Sequence, residues 1–258
     1  LLTILISVVG FIFLYSIIHN PFGKDDIFAS FLFSISRLIL CFIFAFMIIN
    51  LLIFIKFTSK NKITKSYLSP ILNFVSRYGK FAFFILLLIS LYRIADVVMG
   101  VMANIFYLEK GYKIAEIATF SKFFGVFATI VGGFIGGYCS YKFGTMKALF
   151  FGALVAALSN LLFAWLAISP TSINFLIAVI TADNISSGFA GAAFVIYLSG
   201  LTSIKFTATQ YALFSSIMLF LPKLIAGYAG SWVDVMGYAY FFSLTAFLGI
   251  PVLFLILW

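Results

Sequence analysis

The chain has 258 residues, 64% of them hydrophobic and 9% charged, with a mean hydropathy of +1.22 and a formal charge of +9. A soluble domain carries about 25% charged residues, so this composition excludes a water-solvated fold and makes lipid the solvent. The basic residues sit mostly in short connectors between apolar runs, where they orient helices, and that distribution argues against a nucleic-acid partner.

A helix needs about 20 apolar residues to cross a bilayer. Runs of that kind fall at 1–19, 27–57, 80–107, 115–138, 146–167, 173–201, 209–232 and 238–258. Backbone groups in hydrocarbon need partners within their own segment, and the alternation of a barrel strand is missing, so the expected fold class is an all-α polytopic bundle. The first run opens Leu1-Leu2-Thr3 without methionine, basic n-region or cleavage site. It reads as a span cut inside a hydrophobic segment, not as a signal peptide. His19 closes it as an interfacial residue. Arg37 in the long second run either snorkels or faces a neighbouring helix. Cys41 and Cys139 make neither a metal spacing nor a disulfide framework and read as buried thiols.

The largest polar connector runs from Lys56 to Lys80, with Lys60, Lys62, Lys65 and Arg77 between them and no acid. The positive-inside rule makes it cytoplasmic. The later connectors then alternate: Glu109 to Lys113 outside, Tyr141 to Lys147 inside, Ser169 to Thr171 outside, Lys205 inside, Asp234 outside. Both termini come out cytoplasmic. The expected division is 1–57, two spans; 58–79, a basic linker; and 80–258, a six-span unit. Six helices after a long basic loop match the second half of a major-facilitator transporter, with the two earlier spans ending the first half.

Ionisable residues inside spans are functional-site hypotheses, because a carboxylate at the bilayer centre costs roughly 3 kcal/mol on insertion scales. Arg93 and Asp96 are three apart, on one helix face, and read as either a packing ion pair or a substrate or proton site. Lys122 either snorkels or meets an anionic group, Asp96 or Asp183. The glycines at 132, 133, 136 and 137 form small-xxx-small pairs that let a helix approach closely. Asp183, Ser187 and Gly191 share a face, with Asn184 and Gly188 beside them, as in a cavity wall. Pro222 kinks the seventh span beside Lys223, which either faces the cavity or pairs with Asp183. Gly137, Lys142, Gly144 and Lys147 fit the degraded second-half copy of the major-facilitator loop motif, with Tyr141 in place of its acid, which weakens the gating salt bridge. No metal spacing, phosphate loop, nucleophile elbow or ATPase motif is present, so no catalysis, metal or cofactor is expected.

The runs Leu91-Tyr-Arg-Ile-Ala-Asp96, Ser121-Lys-Phe-Phe-Gly-Val-Phe-Ala-Thr-Ile-Val-Gly-Gly133, Asp183-Asn184 before Ser187-Gly188, and Lys205-Phe-Thr-Ala-Thr-Gln-Tyr-Ala-Leu213, in that order, resemble the AmpG-type muropeptide permeases over about 80–258. The last run is the most specific, since nothing in membrane physics demands it. The resemblance implies a proton-dependent, multi-pass importer in the bacterial inner membrane. Its cargo would be cell-wall turnover products, anhydro-muropeptides with carboxylates, amides and sugar hydroxyls. On that reading Asp96 or Asp183 carries the proton, Arg93, Lys122 and Lys223 meet carboxylates, and Asn184, Ser187 and Gln210 hydrogen-bond sugar or peptide. Implied partners are lipid, protons, the muropeptide and a first half, if separately encoded. The alternatives are a carrier of other cargo, such as acyl-coenzyme A, and a non-transporting fragment.

Overall fold

The computed structural model describes residues 2–22 and 26–258. Every regular element among them is helical, as hydrocarbon requires of a chain whose backbone must satisfy itself. Seven helical runs are long and apolar enough to cross a membrane, six of them after residue 80, and the eighth expected span is a shorter apolar helix. The chain is a multi-pass, all-α membrane protein. It divides into two compact units, 1–73 and 74–258; the division falls inside the expected linker.

In the first unit α1 (Leu2–Ile17) and α2 (Ile27–Phe54) form an antiparallel hairpin. Asp26 caps α2 by accepting from the Ala29 N–H at 3.0 Å, satisfying one of the orphan donors of a helix start. Arg37 turns to its neighbour. It donates to the Ile18 carbonyl at 2.7 Å and stacks 3.7 Å over the Tyr15 ring. Cys41 is buried, whereas Cys139 in the second unit is only partly so. His19 sits at the exposed end of α1, its Nδ1 2.9 Å from the Ile17 carbonyl.

The basic linker is not a coil. A helical turn (Lys60–Ile63) and a π-helical turn (Thr64–Leu68) lead into α3 (Ser69–Tyr78). In the second unit, Phe74 of α3 is buried against Phe214, ring centroids 5.0 Å apart, and Arg77 donates to the Leu201 carbonyl at 2.5 Å. Gly79, at φ 53°, makes the turn into the first span.

That span is two helices, α4 (Phe81–Leu91) and α5 (Ile94–Glu109). The second joins a short turn (Ile114–Ile117), a π-helical stretch (Ala118–Phe124) and α6 (Gly125–Phe143). Then follow α7 (Thr145–Ile168) and α8 (Ile173–Leu201). After a 3-10 turn (Ile204–Phe206) come α9 (Thr207–Ala226), α10 (Ala229–Phe247) and α11 (Ile250–Leu257).

The last two spans refine the expected boundaries. Helix α10 leaves helical values at Gly237, φ 77° and ψ 166°, a conformation open to glycine. Tyr238 donates to Glu109 at the end of α5, while Trp258 packs with tilted rings against Phe81 and Phe84 at the start of α4. The chain therefore reverses at Gly237, and the eighth span runs from 238, as expected. The seventh starts at 204 rather than 209 and continues through a break at Gly227 and Tyr228 to Met236.

Lysine side chains close the connectors. Lys110 donates to the Ala167 carbonyl at 2.7 Å, capping the last turn of α7, and Thr171 donates back to the Lys110 carbonyl. This accounts for a basic residue at the end where the sequence leads one to expect few. Nearby, Tyr112 donates to the Ser172 carbonyl at 3.1 Å; burial raises its pKa above the usual tyrosine value, keeping the donor protonated.

Two buried clusters are stacked along the bundle. One takes Leu88, Ile89 and Tyr92, then Leu149 and Ala153, Ala190 to Leu201, and Val252 with Ile256. The other takes Ile94 to Tyr107, then Phe163 and Leu166, Leu176 to Ile180, and Phe241 with Phe242. Helix after helix, the residues between the clusters are the polar ones: Arg93 and Asp96, Ser159 and Asn160, Asp183 to Ser187, Thr245. The polar belt lies at mid-bundle with apolar layers on both sides.

Candidate functional site

The belt is organised by the break between α4 and α5. Arg93 there has φ −98° and ψ 10°, outside helical values, and neither glycine nor proline stands at the break. Tertiary contacts hold it open. Tyr92 stacks on Phe194, centroids 4.4 Å apart and planes within 6°. Its hydroxyl shares one proton between the Leu149 carbonyl at 3.2 Å and the Ala190 carbonyl at 3.4 Å. Gly152 provides the room, since a Cβ there would sit 2.7 Å from that hydroxyl.

Beyond the break, Asp96 lies in the first turn of α5, where the helix dipole favours a carboxylate. Arg93 Nε is 3.2 Å from Asp96 Oδ2, the one ion pair among the described residues. The side chains keep 24% and 12% of their surface open. Arg93 Nη2 reaches Ser187 Oγ on α8 at 3.4 Å. Asp183, one helical turn before Ser187, lies within electrostatic range of both Asp96 and Arg93. Ser159 Oγ is 3.4 Å from Asp183 Oδ1 and 2.9 Å from the Ala156 carbonyl. Fully ionised, the cluster sets one guanidinium against two carboxylates, leaving a net negative charge in an apolar bundle.

The expected site residues thus separate. Arg93, Asp96, Asp183 and Ser187 are brought together. Asn184 is not with them: its Nδ2 donates to the Ile180 carbonyl at 2.8 Å, and its Oδ1 accepts from Thr129 of α6 at 3.0 Å. A Cβ on Gly125 would come 3.0 Å from that amide. Asn184 belongs to the α6–α8 seam. Gln210 is fully buried and accepts from the Ser203 N–H at 2.7 Å, which braces the turn before α9. Lys122 and Lys223 are exposed, and neither forms the anticipated ion pair with Asp96 or Asp183.

In the proposed gating loop, Gly144 makes the turn at φ 91° and ψ 151°. Gly137 has open space where a Cβ would be. Lys142 lies 5.6 Å from the Tyr138 ring and Lys147 is exposed; neither forms an ion pair among the described residues.

Sequence reasoning missed Thr129, Tyr92, Ser159, Asn160 and Thr245. Asn160 is fully buried and donates to Thr245 Oγ1 at 3.3 Å. A polar pair in the middle of 145–168 was a readable signal; the role of Tyr92, a residue common in membrane helices, was not.

No family model matches the chain. It is 36% identical over 195 residues to "Putative transporter AmpG 4" of Rickettsia conorii, covering 75% of this chain and 47% of that protein. The protein of the same name from Rickettsia felis is 37% identical over 191 residues, covering 74% and 46%. "Putative transporter AmpG 1" of Rickettsia bellii is 33% identical over 227 residues, covering 85% and 55%. The chain spans about half the length of these relatives. With its intramembrane charge cluster and helical membrane fold, it belongs to the AmpG-type permease family.

Proposed function

We propose that the chain forms the second half of a major-facilitator secondary transporter that imports anhydro-muropeptides across the bacterial inner membrane, driven by protons. The observation that carries this reading is the Arg93–Asp96 pair beside Asp183 at a helix break in mid-bundle. Ionisable groups at that depth mark substrate and proton pathways, and broken helices are a recurring site architecture in secondary transporters. In this reading Asp183 carries the proton, with Asp96 as second carboxylate. Arg93 meets a cargo carboxylate, and Ser187 hydrogen-bonds beside it. The exposed Lys122 and Lys223 attract the anionic cargo on its way in. The relatives' names support a transporter; the cargo class comes from the AmpG resemblance of the sequence motifs alone.

The test is uptake of labelled anhydro-muropeptide by vesicles holding the full-length permease. Uptake should require an inward proton gradient and fall at least about tenfold with Asp183→Asn, a loss on the scale of one intramembrane charge. Gradient-independent uptake would remove proton coupling. Uptake of acyl-coenzyme A instead would replace the cargo and leave the transporter.

A further inference from the structure

We propose that Arg93 is shared between cargo and proton: a cargo carboxylate takes the outer edge of its guanidinium, and Asp96, released, takes up a proton from bulk solution. This rests on the transporter reading above and adds how the two ligands are linked.

Asp96 holds Arg93 through a poorly aligned contact. Only Nε and one carboxylate oxygen approach, at 3.2 Å, and the Nε proton has no well-aligned hydrogen-bond acceptor. Bidentate capture by the two Nη groups, with two parallel charge-assisted bonds, is left unused. That edge lies along α8, Nη2 at 3.4 Å from the neutral Ser187 hydroxyl. Nη1 passes over Gly191, where a Cβ would be 3.4 Å away. A planar carboxylate arriving at this edge would therefore gain two charge-assisted bonds where Ser187 gives one long neutral bond.

Charge then links the events. With the cargo bound and all groups ionised, three carboxylates would face one guanidinium in an apolar surrounding. Desolvated charge without a partner is the costly case. Protonating Asp96 cancels the added charge: the Asp96–Arg93 and Ser187–Arg93 contacts break, two guanidinium–cargo bonds form, and one proton moves from the buffer acid in bulk solution to Asp96.

Asp96 differs from the other groups around it in holding the ion pair with Arg93 that the cargo would break, whereas Asp183 carries the transported proton in the reading above. Tyr92 from α4 gives its proton to backbone carbonyls. Asp183 from α8 is the remaining acid within range, and α7 brings the neutral Ser159 and Asn160. Lys223 on α9 and Asp234 on α10 are exposed. Glu116, near the end of α5, accepts from the Lys113 N–H.

The experiment is titration calorimetry on the full chain in lipid nanodiscs, in buffers of different ionisation enthalpy, which counts protons taken up on binding. The probes are 1,6-anhydro-N-acetylmuramyl-L-alanyl-D-isoglutamine and its methyl ester. The free acid should take up about one proton and bind at least about tenfold tighter than the ester, the difference expected for a charge-assisted pair; the ester should take up none. Asp96→Asn should bind the free acid at least as tightly with no uptake. Free-acid binding without uptake, equal affinity for the ester, or uptake persisting in Asp96→Asn would overturn the proposal. If Asp96→Asn does not fold, the acid–ester comparison on the unsubstituted chain decides. Binding of neither probe to the unsubstituted chain would instead overturn the cargo reading on which the proposal rests.

Discussion

Two seams run along α8, and neighbouring residues feed them. On one, Asn184 and Gly188 meet Thr129, Gly132 and Gly136 of α6. Hydrogen bonds there are satisfied, and backbones approach so closely that a Cβ on Gly132, Gly136 or Gly188 would run into the facing helix backbone. On the other, Asp183, Ser187 and Gly191 meet the break at Arg93 with partly open charges and long bonds. The first seam is optimised for contact, as expected where lipid supplies no hydrophobic drive between helices. The second keeps unsatisfied chemistry available.

The largest expected effect lies on the charged seam. Arg93→Met leaves Asp96 buried and unpaired and should destabilise the protein by about 3–5 kcal/mol, read as loss of folded protein in detergent melts. Arg93→Met with Asp96→Leu should recover most of that stability, because no orphan charge remains. A double variant as unstable as the single one would mean that the pair mainly holds the helix break.

On the packed seam Gly132→Ala should cost about 1–3 kcal/mol by overpacking, seen as a lower melting temperature. A loss within about 0.5 kcal/mol would mean that the seam is looser than these distances. Asn184→Ala removes the Thr129 bond and should cost about 0.6 kcal/mol, the average for an interhelical hydrogen bond in a membrane, with cargo binding unchanged. A selective loss of binding in a stable Asn184→Ala protein would move Asn184 to the charged seam. Gly137→Ala, with nothing within 4 Å of the new Cβ, should stay within about 0.5 kcal/mol of the parent. That makes it the control that separates the two GxxxG-like pairs.

Much of this was legible without coordinates. Hydropathy gave the spans, and an acid in an apolar run drew attention to Asp183 and Asp96 because hydrocarbon makes such residues costly. Arg93 and Asp96 pair as their three-residue spacing implies. The assignments that moved did so for one reason: helical periodicity says which residues share a face, not which neighbour that face meets. Asp183 and Asn184 differ by about 100° of helix rotation, enough to send one to α5 and the other to α6. Gln210 spends its oxygen on the N–H of nearby Ser203, and Tyr92 its hydroxyl on carbonyls of distant helices. The helix break at Tyr92 and Arg93 carries no local signal, because its cause is the stacking of Tyr92 on Phe194.

The sequence by itself determined the solvent, the helical class, the number of long apolar runs and the identity of the intramembrane charges. Each follows from local composition measured against the fixed cost of polar groups in lipid. Only the tertiary structure decided which charges meet, where α4 gives way to α5 and which polar residues are spent on packing. Those outcomes depend on contacts between segments tens of residues apart, set by the small residues that let α6, α7 and α8 close on one another.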